Sequence, residues 1–166
     1  MTAKLSSAEL ARIHKGFDPN PARSYSLSAE AYISQDWYDI ELEAITKKTW
    51  RWVCHEEKLL EVGDYVTVNV GDQPILIVRD KREELRAFYN VCKHRAHELL
   101  SGEGRTGVIT CPYHAWAYDL TGQLRKAPET ENLEEFSTSE ICLDQVKVEA
   151  FCGFVYVNLD AKAEPL

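Results

Sequence analysis

Ile33, Trp37, Ile40 and Ala44 recur at helical spacing, with Tyr38, Leu42 and Ile45 beside them. This apolar stripe predicts a helix from about Ser34 to Lys48. Ser34 is placed to cap it, Asp36 falls in the first turn, and Lys47 and Lys48 fall in the last, where positive charge suits the helix dipole. Ahead of the stripe, residues 1–33 mix small, polar and proline residues, as in Asp18-Pro19-Asn20-Pro21, and read as an arm without regular structure. Past Trp50-Arg51-Trp52-Val53 the period shortens to two. Val62, Val66, Val68 and Val70 share one parity, and Gly63-Asp64 and Gly71-Asp72 punctuate the run as turns. Gln73 to Val78 is a short continuous apolar strand, and Leu85 to Val91 is another. Val108 to Thr110, Trp116 to Tyr118, Val146 to Val148 and Phe151 to Leu159 complete the set.

Many short strands separated by turns predict a mainly β fold, an antiparallel β domain over residues 51–160. The helix at 34–50 precedes this domain and is expected to pack on it. Residues 161–166 read as the start of a linker to a further domain.

The length of 166 residues suits one domain with a short extra segment, and 45% hydrophobic with 28% charged content is ordinary for a globular chain. The net charge of −8 is a poor match for phosphate backbones, so no nucleic-acid partner is expected. No run approaches the roughly 18 apolar residues that span a membrane. The start, Met1 to Ser7, has one positive charge and no apolar stretch after it, so it is not read as a secretory signal. The expectation is a cytoplasmic protein without membrane attachment.

Cysteine usage narrows the picture. Five cysteines stand at 54, 92, 111, 142 and 152, an odd number without a dense framework, which disfavours disulfides. Two sit beside histidines: Cys92-Lys93-His94, then sixteen residues, then Cys111-Pro112-Tyr113-His114. Each segment follows a predicted strand and offers one thiolate and one imidazole. A [2Fe–2S] centre with two Cys on one iron and two His on the other needs that supply. Pro112 stiffens the second loop, and the glycines at 102, 104 and 107 let the chain return between the two. Structural zinc sites also use Cys₂His₂, but their Cys pair and His pair are each internally spaced, whereas both halves here are mixed. The residue pattern favours the iron–sulfur reading and leaves zinc as the alternative. A c-type haem would need Cys-x-x-Cys-His, which is absent.

The segments Cys92-Lys-His-Arg-Ala96 and Cys111-Pro-Tyr-His-Ala-Trp116 resemble the two cluster boxes of Rieske proteins, and most closely those of the α (oxygenase) subunits of Rieske non-haem iron oxygenases. The likeness runs over about residues 30–160. It takes in Gly63-Asp-Tyr-Val, Gly71 to Arg79, Leu85 to Cys92, Tyr118-Asp-Leu-Thr-Gly122 and Ala127-Pro128-Glu129. It implies a Rieske [2Fe–2S] cluster on Cys92, His94, Cys111 and His114. The family often has Gly where this chain has Ala96 and Ala115. Cytochrome bc-type relatives join the two loops by a disulfide at positions matching His97 and Tyr113, where none can form here. Around the cluster, Tyr113 is expected to donate its hydroxyl to a ligating sulfur, and Trp116 to pack beneath the second loop. His97 is expected at the surface, and Cys54, Cys142 and Cys152 as small buried hydrophobes. His14 and His55 have no partner at ligand spacing.

In the family, oxygenase activity also needs a mononuclear iron held by two His and a carboxylate. No histidine follows His114, so that site is expected outside these residues. The expected function is one-electron transfer within an oxygenase α subunit, with a flavin reductase or ferredoxin as donor. The acceptor would be a mononuclear-iron catalytic domain, often in a neighbouring subunit of a homotrimer. A stand-alone Rieske ferredoxin is the alternative. The resemblance leaves the parent substrate open between quaternary amines and aromatic rings, and mono- or dioxygenation likewise.

Overall fold

The structure, a computed structural model, describes residues 6–130 and 132–166. It divides into two compact units, Met1–Lys48 and Thr49–Leu166. Among the described residues no helix is long and apolar enough to cross a membrane.

The first unit holds helices α1 (Ser7–Ile13), α2 (Glu30–Ile33) and α3 (Gln35–Glu41). The first two lie where the sequence read as an irregular arm. Ser7-Ala-Glu-Leu-Ala-Arg is built of residues with good helix propensity, enough for two turns but too few for a periodic stripe. The prolines act between the helices. The Asn20 N–H donates to Asp18 Oδ1 at 2.8 Å and the Ala22 N–H to Asn20 Oδ1 at 3.0 Å, two successive Asx-turns. Ser34 caps α3 as expected, its hydroxyl oxygen accepting from the Trp37 N–H at 3.3 Å. The helix does not run on to Lys48 as an α-helix. It widens into a π-helical turn over Leu42–Thr46, where the Lys47 N–H reaches back to the Leu42 carbonyl at 3.0 Å.

The second unit is mainly β, and among the described residues its strands pair antiparallel. Its strands are β1 (Arg51–His55), β2 (Asp64–Val70), β3 (Gln73–Arg79), β4 (Leu85–Tyr89) and β5 (Glu103–Arg105), followed by β6 (Ile109–Thr110), β7 (Ala117–Tyr118), β8 (Leu124–Lys126), β9 (Gln145–Phe151) and β10 (Phe154–Asn158). Seven form a sheet in the order β1-β10-β9-β4-β3-β2-β5, and β6-β7-β8 form a smaller one. The sequence did not mark β1, β5 and β8 as strands. Glu103-Gly-Arg and Leu124-Arg-Lys are short and largely polar, and β1 carries no clean alternation.

The continuous apolar run of β3 has a direct cause. Leu76 and Val78 enter one core cluster with Phe88, Cys92, Cys111 and Tyr118. Ile75 and Ile77 enter a second with Val66, Val155 and Val157. A strand buried on both faces has no polar side to alternate. The first of these cores carries the two candidate cysteines.

Two turns flank that core with one design. Asp80 accepts from the N–H of Arg82 (2.8 Å) and Glu84 (3.0 Å) and from Arg86 Nε (2.9 Å). Asp119 accepts from Thr121 (2.9 Å), Gln123 (3.2 Å) and Arg125 Nε (2.7 Å) at the same offsets. The third residue after each aspartate is left-handed, Glu83 at φ 63° and Gly122 at φ 85°. Only glycine fits the second turn, because a Cβ at 122 would lie 2.6 Å from the Phe88 ring.

Candidate metal centre

Strand β4 delivers the chain to Asn90, and the first loop follows. The Cys92 N–H donates to the His97 carbonyl at 2.8 Å, and the Ala96 N–H to the Cys92 carbonyl at 3.0 Å. The second loop, between β6 and β7, repeats both bonds. The Cys111 N–H donates to the Trp116 carbonyl at 2.8 Å, and the Ala115 N–H to the Cys111 carbonyl at 3.0 Å. Ala96 and Ala115 hold φ of 54° and 55°. These are the two positions where the family often has glycine, and the left-handed backbone is why glycine suits them.

The four candidate ligands come together as two pairs. Cys92 and Cys111 are buried in the same core cluster. The rings of His94 and His114 meet edge to face with centroids 4.7 Å apart. Among the described residues no three His, Cys, Asp or Glu side chains converge as a single-ion site would have them. A two-iron centre asks for two protein ligands on each iron.

One atom in this arrangement is out of place for a metal-free protein. His114 Nδ1 is buried and has no hydrogen-bond partner. A buried polar nitrogen left unpaired costs free energy, and native structures seldom keep one without a role. Burial, and then the neighbouring His94, push the His114 pKa below its ordinary value, so the ring is held neutral, the form that ligates a metal. A thiol pair, a neutral imidazole with a free buried nitrogen and a second imidazole against it fit a [2Fe–2S] group of mixed ligation.

The hydroxyl at the sulfur side belongs to Tyr118, not to Tyr113. Tyr118 Oη lies 3.3 Å from Cys92 Sγ and accepts the Lys93 N–H at 3.0 Å. A ligating Cys92 is a thiolate with no proton to give, so toward it the Tyr118 hydroxyl would be the donor. Burial, and then the bond to Cys92, push the Tyr118 pKa up, so the hydroxyl keeps its proton. Tyr113 is 56% exposed, its ring 3.8 Å from that of His114 and 5.5 Å from that of His97. In the loop frame Tyr113 occupies the second position after Cys111, as His94 does after Cys92, and this position faces outward. The sequence placed Tyr118 on the strand that leaves the second loop, but nothing local pointed it at the cysteine of the first.

Other positions divide similarly. Trp116 is buried but lies against the first loop, its ring parallel to that of His94 at 4.9 Å. His97 is exposed, and Cys54 is buried. Cys142 is half-buried and Cys152 exposed, contrary to expectation. Cys152 and Gly153, at φ 51° and 80°, are the central pair of a two-residue turn that splits the expected Phe151–Leu159 strand, and hairpin tips face solvent. Asn90 also escaped the sequence reading. Fully buried, it accepts from the N–H of Leu99 and Leu100 and donates to the Leu100 carbonyl and Glu98, tying down the return of the first loop. A cavity of about 450 Å³ opens beside the histidines, walled by Arg95, Trp116, Glu129 and Phe136.

Residues 49–137 match the model of the Rieske [2Fe-2S] domain. The chain belongs to that family. It is 42% identical over 150 residues to the carnitine monooxygenase oxygenase subunit of Escherichia coli (strain K12), covering 90% of this chain and 40% of that relative. It superposes on a quaternary ammonium Rieske monooxygenase solved with L-carnitine, with a TM-score of 0.78 and 44% identity, over 82% of this chain and 39% of that one. It also superposes on naphthalene 1,2-dioxygenase from Rhodococcus sp., with a TM-score of 0.87 and 27% identity, over 98% of this chain and 38% of that one. The Rieske chain thus spans about two fifths of these relatives' length.

Proposed function

We propose that this chain relays single electrons through a Rieske [2Fe–2S] cluster held by Cys92, His94, Cys111 and His114, as the Rieske portion of an oxygenase α subunit. The buried, unpartnered Nδ1 of His114 beside the ring of His94 carries the reading. When bound, the cluster supplies a one-electron couple. The chain's residues do the rest. Cys92 and Cys111 present thiolates from inside a core that excludes water, and Tyr118 donates to the first of them. The two histidines form the edge open to the cavity, where an acceptor group approaches.

Within the chain we assign an arm over 1–33, a helical segment over 34–50, the Rieske domain over 51–160 and the start of a linker over 161–166. The mononuclear iron site belongs to a catalytic domain outside these residues, in a parent enzyme of the cytoplasm and of homotrimeric form. A flavin reductase or ferredoxin supplies the electrons. Higher identity to carnitine monooxygenase than to naphthalene dioxygenase favours a quaternary amine as the parent substrate. The similar proteins are oxygenases, which favours the relay over a free-standing carrier.

The test is electron paramagnetic resonance of anaerobically prepared protein before and after dithionite, with iron and sulfide assayed. The expected result is a silent oxidised state and, on reduction, a rhombic signal with average g below that of all-cysteine clusters. Zinc without sulfide in fully loaded protein would overturn the proposal.

A further inference from the structure

A continuous row of rings crosses the candidate centre. His97, Tyr113, His114, His94, Trp116 and Phe136 follow one another at centroid separations of 5.5, 3.8, 4.7, 4.9 and 5.8 Å. The two candidate ligands stand in the middle, and each is faced by an aromatic ring from the second loop. Those two contacts differ in kind. Tyr113 is exposed and tilted 32° to His114. Trp116 is buried and lies within 7° of parallel to His94.

The His94 ring has more need of support. Its side chain is exposed, and it stands one position nearer to its cysteine than His114 does in an otherwise equal loop. A flat indole against its face removes the rotation that an exposed imidazole otherwise keeps. Stacked aromatic pairs attract one another beyond what their buried area supplies. The indole is itself backed, since Phe136 meets it edge to face at 66°. The contact also crosses between loops, so the second loop sets the ring of the first. The main chain of Trp116 is occupied separately, its carbonyl accepting from Cys111, so a side-chain change leaves the loop bond in place.

We propose that Trp116, backed by Phe136, is a positioning residue that fixes the plane of the His94 imidazole and thereby the electronic asymmetry of the cluster. The proposal rests on the ligation reading above. Trp116 and Phe136 also wall the cavity beside the histidines, so a group seated there presses on the ring that orients His94.

The experiment compares Trp116→Leu, Trp116→Phe and Phe136→Ala in full-length, cluster-loaded protein. The readouts are the g values of the reduced cluster, the histidine ¹⁴N couplings from pulsed resonance, and the reduction potential. Trp116→Leu fills volume without a π face. It is expected to shift the g anisotropy and the coupling of one histidine while leaving the other unchanged. Trp116→Phe restores both, and Phe136→Ala gives a smaller change of the same sign. A loaded Trp116→Leu protein with wild-type g values and couplings overturns the proposal. If Trp116→Leu fails to load, Phe136→Ala decides, and a wild-type spectrum there overturns it equally. Absence of histidine coupling in the wild-type cluster would instead sink the ligation reading, which separates the two failures.

Discussion

The loop at Cys92 and the loop at Cys111 close with the same two backbone bonds and the same left-handed alanine, yet they seat their histidines one residue apart. The backbone frame is therefore not what distinguishes the two ligand positions. The difference lies in which frame position carries the imidazole and in what anchors each loop. The first hangs from a buried amide, Asn90, across its return strand. The second is short, begins at Pro112, and is closed by the β6–β7 pairing of Ile109 with Tyr118 and Thr110 with Ala117. Both loops close on one antiparallel pair, Val91 with Glu98 and Thr110 with Ala117, but the first adds a buried side chain where the second extends its hairpin by a further pair.

That contrast is broken most severely at Asn90. Asn90→Ala leaves two N–H groups and a carbonyl of the first loop without partners in the core. At about 1–3 kcal/mol for each buried group left unpaired, the expected loss is about 3 kcal/mol of stability, read by urea unfolding. Hydrogen exchange should rise at residues 97–100 and stay unchanged at 111–116. Equal loosening of both loops would mean that the anchors are not independent.

The turns that serve the loops give the next effect. Asp80 lies in the hairpin that leads to the first loop and is fully buried, while the matching Asp119 after the second loop is partly open. At Asp80 burial acts to raise the pKa, but Arg86 and two backbone N–H bonds outweigh it and hold the carboxyl below its usual range. Asp119 shows the same balance, with burial opposed by Thr121, Arg125 and backbone donors. Carboxylates lowered on folding stabilise above their unfolded pKa of about 4, and that stability is lost as pH falls through the folded values, because the unfolded state then binds more protons. Asp80→Asn is expected to cost about 2 kcal/mol at neutral pH and Asp119→Asn about 1 kcal/mol. Both should flatten the fall in stability between pH 5 and pH 3, with [urea] midpoints as the measure. A larger effect at Asp119 would reverse the ranking by burial.

These pairs also show what a sequence can and cannot carry. The two Cys–His boxes were legible because ligand spacing is local, and β3 was legible because burial on both faces leaves an unbroken apolar run. The strands β5 and β8 were not, since each is three residues long and mostly polar, with the Arg105–Asp64 ion pair of β5 made across the sheet to a residue far away in sequence. Tyr113 drew attention by standing next to His114, and its ring does lie against that imidazole, but on the exposed side of the loop. Tyr118 lies farther along the chain and reaches the other loop's cysteine, a contact set by how two sheets meet. The repeated Asp-x-x-x-x-Leu-Arg spacing of the turns at Asp80 and Asp119 stood in the sequence and gained its meaning only from the shared hydrogen bonds.

Tyr118 makes the sulfur side of the centre unequal as well, because its hydroxyl lies against Cys92, where a ligating thiolate would accept from it. A donor to sulfur favours the reduced, more negative state, so Tyr118→Phe is expected to lower the reduction potential. A bond worth about 1 kcal/mol corresponds to roughly 40 mV, on the scale of about 59 mV for a tenfold one-electron change. Tyr113→Phe should leave the potential where it is. Protein-film voltammetry of the two variants reads both, and the opposite ranking would return the donor role to Tyr113.

The smallest effect tests whether the shared frame is as equal as its bonds suggest. An L-residue in the left-handed region costs about 1–2 kcal/mol, and alanine bears that cost at 96 and 115. Glycine relieves it but adds roughly 0.5–1 kcal/mol of unfolded-chain freedom to be lost on folding. Ala96→Gly and Ala115→Gly are each expected to gain about 0.5 kcal/mol, and by the same amount, since their φ angles and bonds match. Parallel urea curves for the two variants would mean that the loops differ only in their anchors and in the side chains they carry. A gain at one site alone would show that the other alanine is held left-handed by contacts beyond its own loop. The fully anchored first loop is the place where such contacts would arise, because Asn90 already fixes the residues that follow Ala96.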